Sequence, residues 1–239
     1  MPARRTALRF TALLVVLSGC SRMAPSPGSA SPSPAAAQTA AANGAWRSLV
    51  SLDNWRGYQA QTVPAAWTVQ DGILTKTGVG QDIVSRETFT DFELEFDWML
   101  NAGGNSGLFY RATEEYEKIY WSAPEYALLD DARHPDGRNV LTSAGAAHSL
   151  YAPPRGVVKA AGQWNSTRVV VRGTHVEHWL NAQKVAEFEY GSPDFTERVA
   201  RSKFGRWPNF AKAPRGLIGI QGDHGGVLSI RDMRIRELR

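Results

Sequence analysis

The chain is short of cysteine: Cys20 is the only one in 239 residues. A single thiol cannot build a disulfide framework, and it removes every zinc site made from several cysteines. Net charge is also scarce, with 27 Lys and Arg against 23 Asp and Glu, a formal excess of +4. Nucleic-acid binders carry a far stronger, clustered basic excess, so that class is disfavoured. The apolar stretch from Phe10 to Leu17 holds roughly eight residues where a spanning helix needs about twenty. Motifs are missing too. There is no glycine-rich phosphate loop and no His-Glu-x-x-His pair. Gly104-Asn105-Ser106-Gly107 sets a serine among glycines but lacks the strand-turn-helix context that exposes a nucleophile. Nucleotide chemistry and serine hydrolysis are therefore not expected.

What is present begins at the N-terminus. Arg4 and Arg5 precede the short apolar stretch, which then meets Leu17-Ser18-Gly19-Cys20. That pattern reads as a signal peptide over residues 1–19, and the four residues resemble a bacterial lipobox. The only cysteine stands where the lipidated residue must be, and several acyl chains on one residue anchor far better than one. Ser21, rather than Asp, points to the outer membrane of a bacterial cell envelope. Residues 20–44 are Ala, Pro, Ser, Thr and Gly with almost no bulky side chains. Such a stretch cannot bury enough apolar surface to offset its conformational entropy, so it reads as a tether. One folded domain, 45–239, remains.

Its periodicity is two. In Phe92-Glu93-Leu94-Glu95-Phe96-Asp97-Trp98 the apolar residues fall on one face and the acids on the other. Asp71-Gly72 joins Thr68–Gln70 to Ile73-Leu74 as a tight hairpin. Thr167–Arg172 and His175–Leu180 pair across Gly173-Thr174, and Lys184–Tyr190 follows Asn181-Ala182. In the last run Leu228 and Ile230 are out of phase with Met233 and Ile235, so a β-bulge near Arg231-Asp232 is expected. Ser192-Pro193-Asp194 opens one short helix over Phe195–Lys203. The reading is all-β, a two-sheet antiparallel jelly-roll sandwich with one short helix.

Several groups could carry chemistry. Glu93, Glu95 and Asp97 share a strand face, and Asp97 lies nearest the glycine-rich turn. Paired carboxylates can do acid–base work on glycosides, although a solvated strand face accounts for the same pattern. Glu125, Asp130, Asp131, His134 and Asp136 cluster within twelve positions, an oxygen-rich region that could hold a divalent cation. His178 alternates with Val176 and Leu180 and reads as a core residue, whereas His224 sits in a turn, Gly222-Asp223-His224-Gly225-Gly226, where an imidazole can reach a cleft.

Together the segments are familiar. Gly104 to Arg111, Pro124-Glu125-Tyr126 to Asp131, Gly162 to Asn165, His178 to Asn181, Gly219 to Gly225 and Ile230 to Ile235 occur in this order. The sequence resembles the 3-keto-disaccharide hydrolase domain family over residues 46–239. The resemblance implies a concanavalin-like sandwich and, as activity, cleavage of 3-keto-glycosides. A carbonyl at C3 acidifies C2, so a base there, a donor at the C3 oxygen and an acid at the leaving oxygen suffice. On this reading Glu125 or His224 is the base, the other the acid, and Arg111 the enolate stabiliser. A cation near Asp130 is an alternative to Arg111, and no other cofactor is expected. Asp97, Asn105, Tyr126, Asp130, His148, His178 and Gln221 are expected to bind the saccharide, with Trp121, Tyr126 and Tyr151 stacking on sugar faces. Ala127 stands where the family usually has Gln, His148 and Ser149 where Tyr and Asp are common, and Ala182 where the turn has Gly. A non-catalytic carbohydrate-binding module on the cell surface is the alternative reading; neither needs a nucleic acid or nucleotide.

Metabolic labelling with a fatty acid tests the anchor. Cys20→Ala should abolish incorporation and release the protein from membranes; a variant that still partitions to membrane refutes it.

Overall fold

The computed structural model describes residues 44–239, so the signal peptide, Cys20 and nearly all of the tether lie outside the described residues. The strands are β1 (Arg47–Ser48), β2 (Trp55–Gly57), β3 (Trp67–Gln70), β4 (Ile73–Thr77), β5 (Ile83–Phe89), β6 (Phe92–Leu100) and β7 (Asn105–Ala112). They continue with β8 (Glu125–Leu129), β9 (Asn165–Arg172), β10 (His175–Leu180), β11 (Gln183–Glu189), β12 (Gly216–Ile220) and β13 (Val227–Glu237). Every pairing is antiparallel. The larger sheet runs β11-β10-β9-β6-β13-β4-β3, with β1 also on β13, and the smaller runs β2-β5-β12-β7-β8. The all-β sandwich expected from the period of two is what forms.

The alternation explains the layering. Phe92, Leu94, Phe96 and Trp98 of β6 face Leu108, Tyr110, Tyr126 and Leu128 of the smaller sheet in one core cluster. Glu93, Glu95 and Asp97 point the other way, paired with Arg236, Arg234 and Arg231 of β13. The expected bulge is there: the β13–β6 register shifts between Arg231 and Arg234, and Asp232 has φ 52°. The shift keeps Leu228, Ile230, Met233 and Ile235 all buried.

Two buried polar bridges tie the sheets together. Tyr110 Oη of β7 lies 2.7 Å from His178 Nε2 of β10, whose Nδ1 is 3.1 Å from the Gly145 carbonyl oxygen. Tyr126 Oη of β8 donates to the Trp179 carbonyl and accepts from Thr167 Oγ1, which in turn accepts from Trp98 Nε1. Buried polar groups persist only when satisfied, and here the partners sit on opposite sheets. His178 and Tyr126 are thus core residues, not saccharide ligands: neither exposes any surface. Burial lowers the His178 pKa to about 4, keeping the ring neutral.

The helix α1 runs Pro193–Arg201, two residues earlier than expected, because Ser192 Oγ caps it by accepting from Phe195 N. Ser202 then ends it and caps a separate 3₁₀ turn, Lys203–Arg206. Lys203 therefore leaves the helix.

The Asn181-Ala182 hairpin places both residues at positive φ, 49° and 66°. Asparagine tolerates that region; alanine pays a steric cost of about 1–2 kcal/mol there. Ala182→Gly should stabilise the protein by about 1 kcal/mol, read as a raised urea midpoint with an unchanged slope.

Candidate active site on the outer face of the smaller sheet

With Leu108, Tyr110, Tyr126 and Leu128 turned to the core, the intervening residues of β7 and β8 face outward. Asn105, Glu125 and, just beyond β12, Gln221 thereby reach the floor of a cavity of about 590 Å³. One wall carries Tyr120, Trp121, Phe204 and Trp207; His148 and Lys203, Asp223 and His224, and the charged Arg206 and Asp136 also line the cavity.

Glu125 dominates the floor. Only 7% of it is exposed, and its carboxyl lies across Gly107 of the neighbouring strand. A Cβ at Gly107 would sit 2.6 Å from Glu125 Oε1 and 2.7 Å from its Cγ, so this placement needs glycine. Burial pushes the Glu125 pKa up to about 7, against the lowering pull of Lys203 and His224; Asp223 and Asp136 raise it further. Such a carboxyl exchanges its proton near neutrality.

His148 Nδ1 stands 3.7 Å from Glu125 Oε1, and its Nε2 is 3.1 Å from Lys203 Nζ. An ammonium only donates, so Nε2 accepts and the neutral ring carries its proton on Nδ1, toward the carboxyl. Burial, with Lys203 adding to it, lowers the His148 pKa to about 4, which keeps that tautomer neutral. Gln221 is 6% exposed, and its Oε1 has no hydrogen-bond partner among the described residues. A buried acceptor without a donor is costly. Asn105 Nδ2 lies 3.5 Å from His134 Nε2.

The loop that carries His224 is held from below. Asp82 Oδ1 accepts from Gly222 N at 2.7 Å, and Lys76 Nζ donates to the His224 carbonyl at 2.5 Å. Gly80 N and Gly78 N donate to the carbonyls of Gly222 and Gly226. A Cβ at Gly222 would lie 2.3 Å from the Gln81 carbonyl oxygen, so the loop packs too tightly for any other residue. Burial raises the Asp82 pKa to about 6 and lowers that of Lys76.

The cavity thus gathers Glu125, His224, His148, Asn105 and Gln221, with Trp121 on its wall. Other expected residues lie elsewhere. Arg111 is 6% exposed at the far end of β7, where its guanidinium donates to the carbonyls of Thr90 and Gly173 and to Asp91. With φ 53° it anchors a kink in the chain and is not an enolate stabiliser in this cleft. Asp97 pairs with Arg231 on the opposite sheet. Asp130 is spent on the backbone, accepting from Gly103 N and Ala132 N, so a cation beside it would compete with both donors. Tyr151 stacks on Phe188 at 4.8 Å and donates to Asp194. Among the described residues, three metal-competent side chains converge on the β10–β11 hairpin, at His175, Glu177 and Glu187, where Lys184 already bonds both glutamates.

Lys203, Tyr120 and Trp207 were not legible in advance. Lys203 read as the basic end of a helix, and Trp207 enters only because it stacks on Trp121 at 4.0 Å across 86 residues of sequence. Gly107→Ala should push the Glu125 carboxyl off the floor. Its titration, followed by carbon NMR of labelled glutamate, should fall from about 7 toward the ordinary carboxylate range; an unmoved titration would show that the glycine cradle does not set it.

Comparison with known proteins agrees with this architecture. The model of the 3-keto-α-glucoside-1,2-lyase-like domain matches residues 42–236. A Bacteroides thetaiotaomicron protein named 3-keto-disaccharide hydrolase is 33% identical over 221 residues, covering 79% of this chain and 76% of its own. A crystal structure of a candidate glycosyl hydrolase from Parabacteroides distasonis superposes with a TM-score of 0.73 at 30% identity, covering 78% of this chain and 89% of that one. A Bacillus subtilis protein with a galectin-like fold, 13% identical, superposes with a TM-score of 0.55 over 83% of this chain and 98% of its own, a likeness of fold alone. The chain belongs to the 3-keto-α-glucoside-1,2-lyase-like domain family.

Proposed function

We propose that this chain is a carbohydrate-active enzyme of the cell envelope that cleaves 3-keto-glycosides, 3-keto-disaccharides among them, in the Glu125 cleft. The observation that carries the reading is a buried carboxyl whose pKa stands at about 7, set between a lysine, a histidine and a second histidine on a clamped loop. The names of its relatives supply the substrate class. The envelope address rests on the lipobox-like segment at Cys20.

Glu125 takes the proton from C2, and the electron pair is delocalised onto the C3 oxygen as an enolate. Lys203 replaces Arg111 as the positive charge nearest that oxygen, its position fixed by the bond to His148. The enolate then re-forms the ketone, a C1–C2 double bond forms, and the C1–oxygen bond breaks. His224 gives its proton to the leaving oxygen. Water next adds hydroxide to C1 and a proton to C2, so the net reaction is hydrolysis. Asn105 and Gln221, which line the cavity, offer hydrogen bonds to ring hydroxyls, and Trp121 packs on the sugar's apolar face. A non-catalytic module would gain nothing from burying an unpaired carboxyl, which is why the enzyme reading is preferred.

The base must be ionised, so kcat/KM should rise as pH climbs through about 7. Glu125→Gln should lower turnover by about 10²–10⁴-fold and erase that limb. Stability moves oppositely. Between the ordinary glutamate pKa and about 7 the folded state keeps a proton that the unfolded state has lost, so stability falls as pH rises through that window. Glu125→Gln should therefore raise Tm at pH 8 and leave it nearly unchanged at pH 4. Full turnover of a 3-keto-glucoside by this variant would overturn the assignment. So would failure of deuterium from solvent to enter C2 of the wild-type product.

A further inference from the structure

The outer face of the larger sheet has no part in this chemistry, yet it is built with the same materials. A groove of about 820 Å³ runs over β13, β6, β9 and β10, between Trp46 at one side and Trp179 at the other. Trp46 leads into β1 and Trp179 lies on β10, four strand spacings away in the sheet, roughly 19 Å at 4.7–4.9 Å per step. Both are half-buried. Each lies against a guanidinium: Arg168 is 4.2 Å from the Trp179 ring, and Arg234 is 4.5 Å from that of Trp46. A third tryptophan on this face, Trp164, packs in the same way on Arg231 at 4.3 Å. A half-buried tryptophan keeps a flat apolar face on which a ligand can pack.

The floor is a row of ion pairs that keep spare capacity. Arg234 sends both its bonds to Glu95 Oε2, and Arg231 sends both of its bonds to Asp97 Oδ2. Each carboxylate therefore retains a second oxygen as acceptor. Exposed pairs of this kind contribute little stability, but they fix acceptors and donors in place. Three guanidiniums (Arg47, Arg168, Arg234) and three carboxylates (Glu95, Asp97, Asp232) line the groove, so its charge is balanced. That balance disfavours an anionic or cationic partner. A neutral ligand rich in hydroxyls and with flat apolar faces fits both the aromatic walls and the paired floor, and a groove open along its length suits a chain rather than a single ring.

We propose that this groove is a second, non-catalytic carbohydrate site that holds a neutral linear glycan, on the face opposite the Glu125 cleft. Asp97 then contacts saccharide after all, though not at the reacting centre.

Affinity gel electrophoresis of the full chain tests it, with gels containing a neutral β-glucan, a neutral α-glucan or anionic polygalacturonate. At least one neutral polymer should retard the protein and the polyanion should not. Trp46→Ala and Trp179→Ala should each weaken retardation at least tenfold. Ser166→Trp, which fills the groove while removing no contact, should do the same in a protein of unchanged Tm. All three should keep wild-type turnover of a small soluble 3-keto-glucoside, or wild-type binding of it should turnover be absent. Glu125→Gln should be retarded like the wild type, which separates this site from the cleft. No retardation by either neutral polymer overturns the proposal, as does retardation that survives Ser166→Trp or is lost in Glu125→Gln.

Discussion

An unpaired carboxyl in a dry place is the constraint on which the cleft depends. Glu125 is buried against Gly107 with a lysine and two histidines near enough to be felt, but no cation in direct contact. Desolvation of the charged form dominates its titration. Each neighbour is then bound by that choice. Position 107 must lack a Cβ, His148 must stay neutral with its proton on Nδ1, and Lys203 must stop short of a salt bridge. Had Lys203 reached Glu125 directly, the carboxyl would be a permanently ionised ion-pair partner with too low a basicity to abstract a carbon-bound proton.

The fold supplies that dry place by dividing the work between its sheets. The larger sheet turns its acids outward and neutralises them strand to strand: Glu93 with Arg236, Glu95 with Arg234 and Asp97 with Arg231. The smaller sheet leaves its floor residues unneutralised and roofs them with loops from distant parts of the chain. Tyr110–His178 and Tyr126–Thr167–Trp98 lock the two layers across the core, so the floor strands β7 and β8 cannot slide relative to the larger sheet without breaking buried hydrogen bonds. Two ionisable groups, buried Lys76 and half-buried Asp82, do for the His224 loop what these bridges do for the floor.

Much of the scaffold was legible because strand alternation, turn chemistry and caps are local. Asp71-Gly72 and Asn181-Ala182 turned where expected, and the phase slip in the last strand gave its bulge away. Ser192 announced the helix, though not that Ser202 would end it before Lys203. The site was half legible. Glu125 and His224 stood out as an acid at a strand start and an imidazole in a glycine turn. Arg111 misled, since an arginine at a strand end reads the same whether it faces a cleft or ties down backbone carbonyls.

Residue order by itself determined the period of two, the tight turns, the opposed faces of β6 and the family, for these depend on neighbours within a few positions or on motifs in sequence. Tertiary structure alone decided which carboxyl is buried and unpaired. Glu95 and Glu125 both stand on strands, yet one meets Arg234 across a sheet, 139 positions away, while the other meets a glycine and a histidine. A carboxyl's proton affinity is set by water excluded and charges brought near, and both come from chain segments that only folding places beside it.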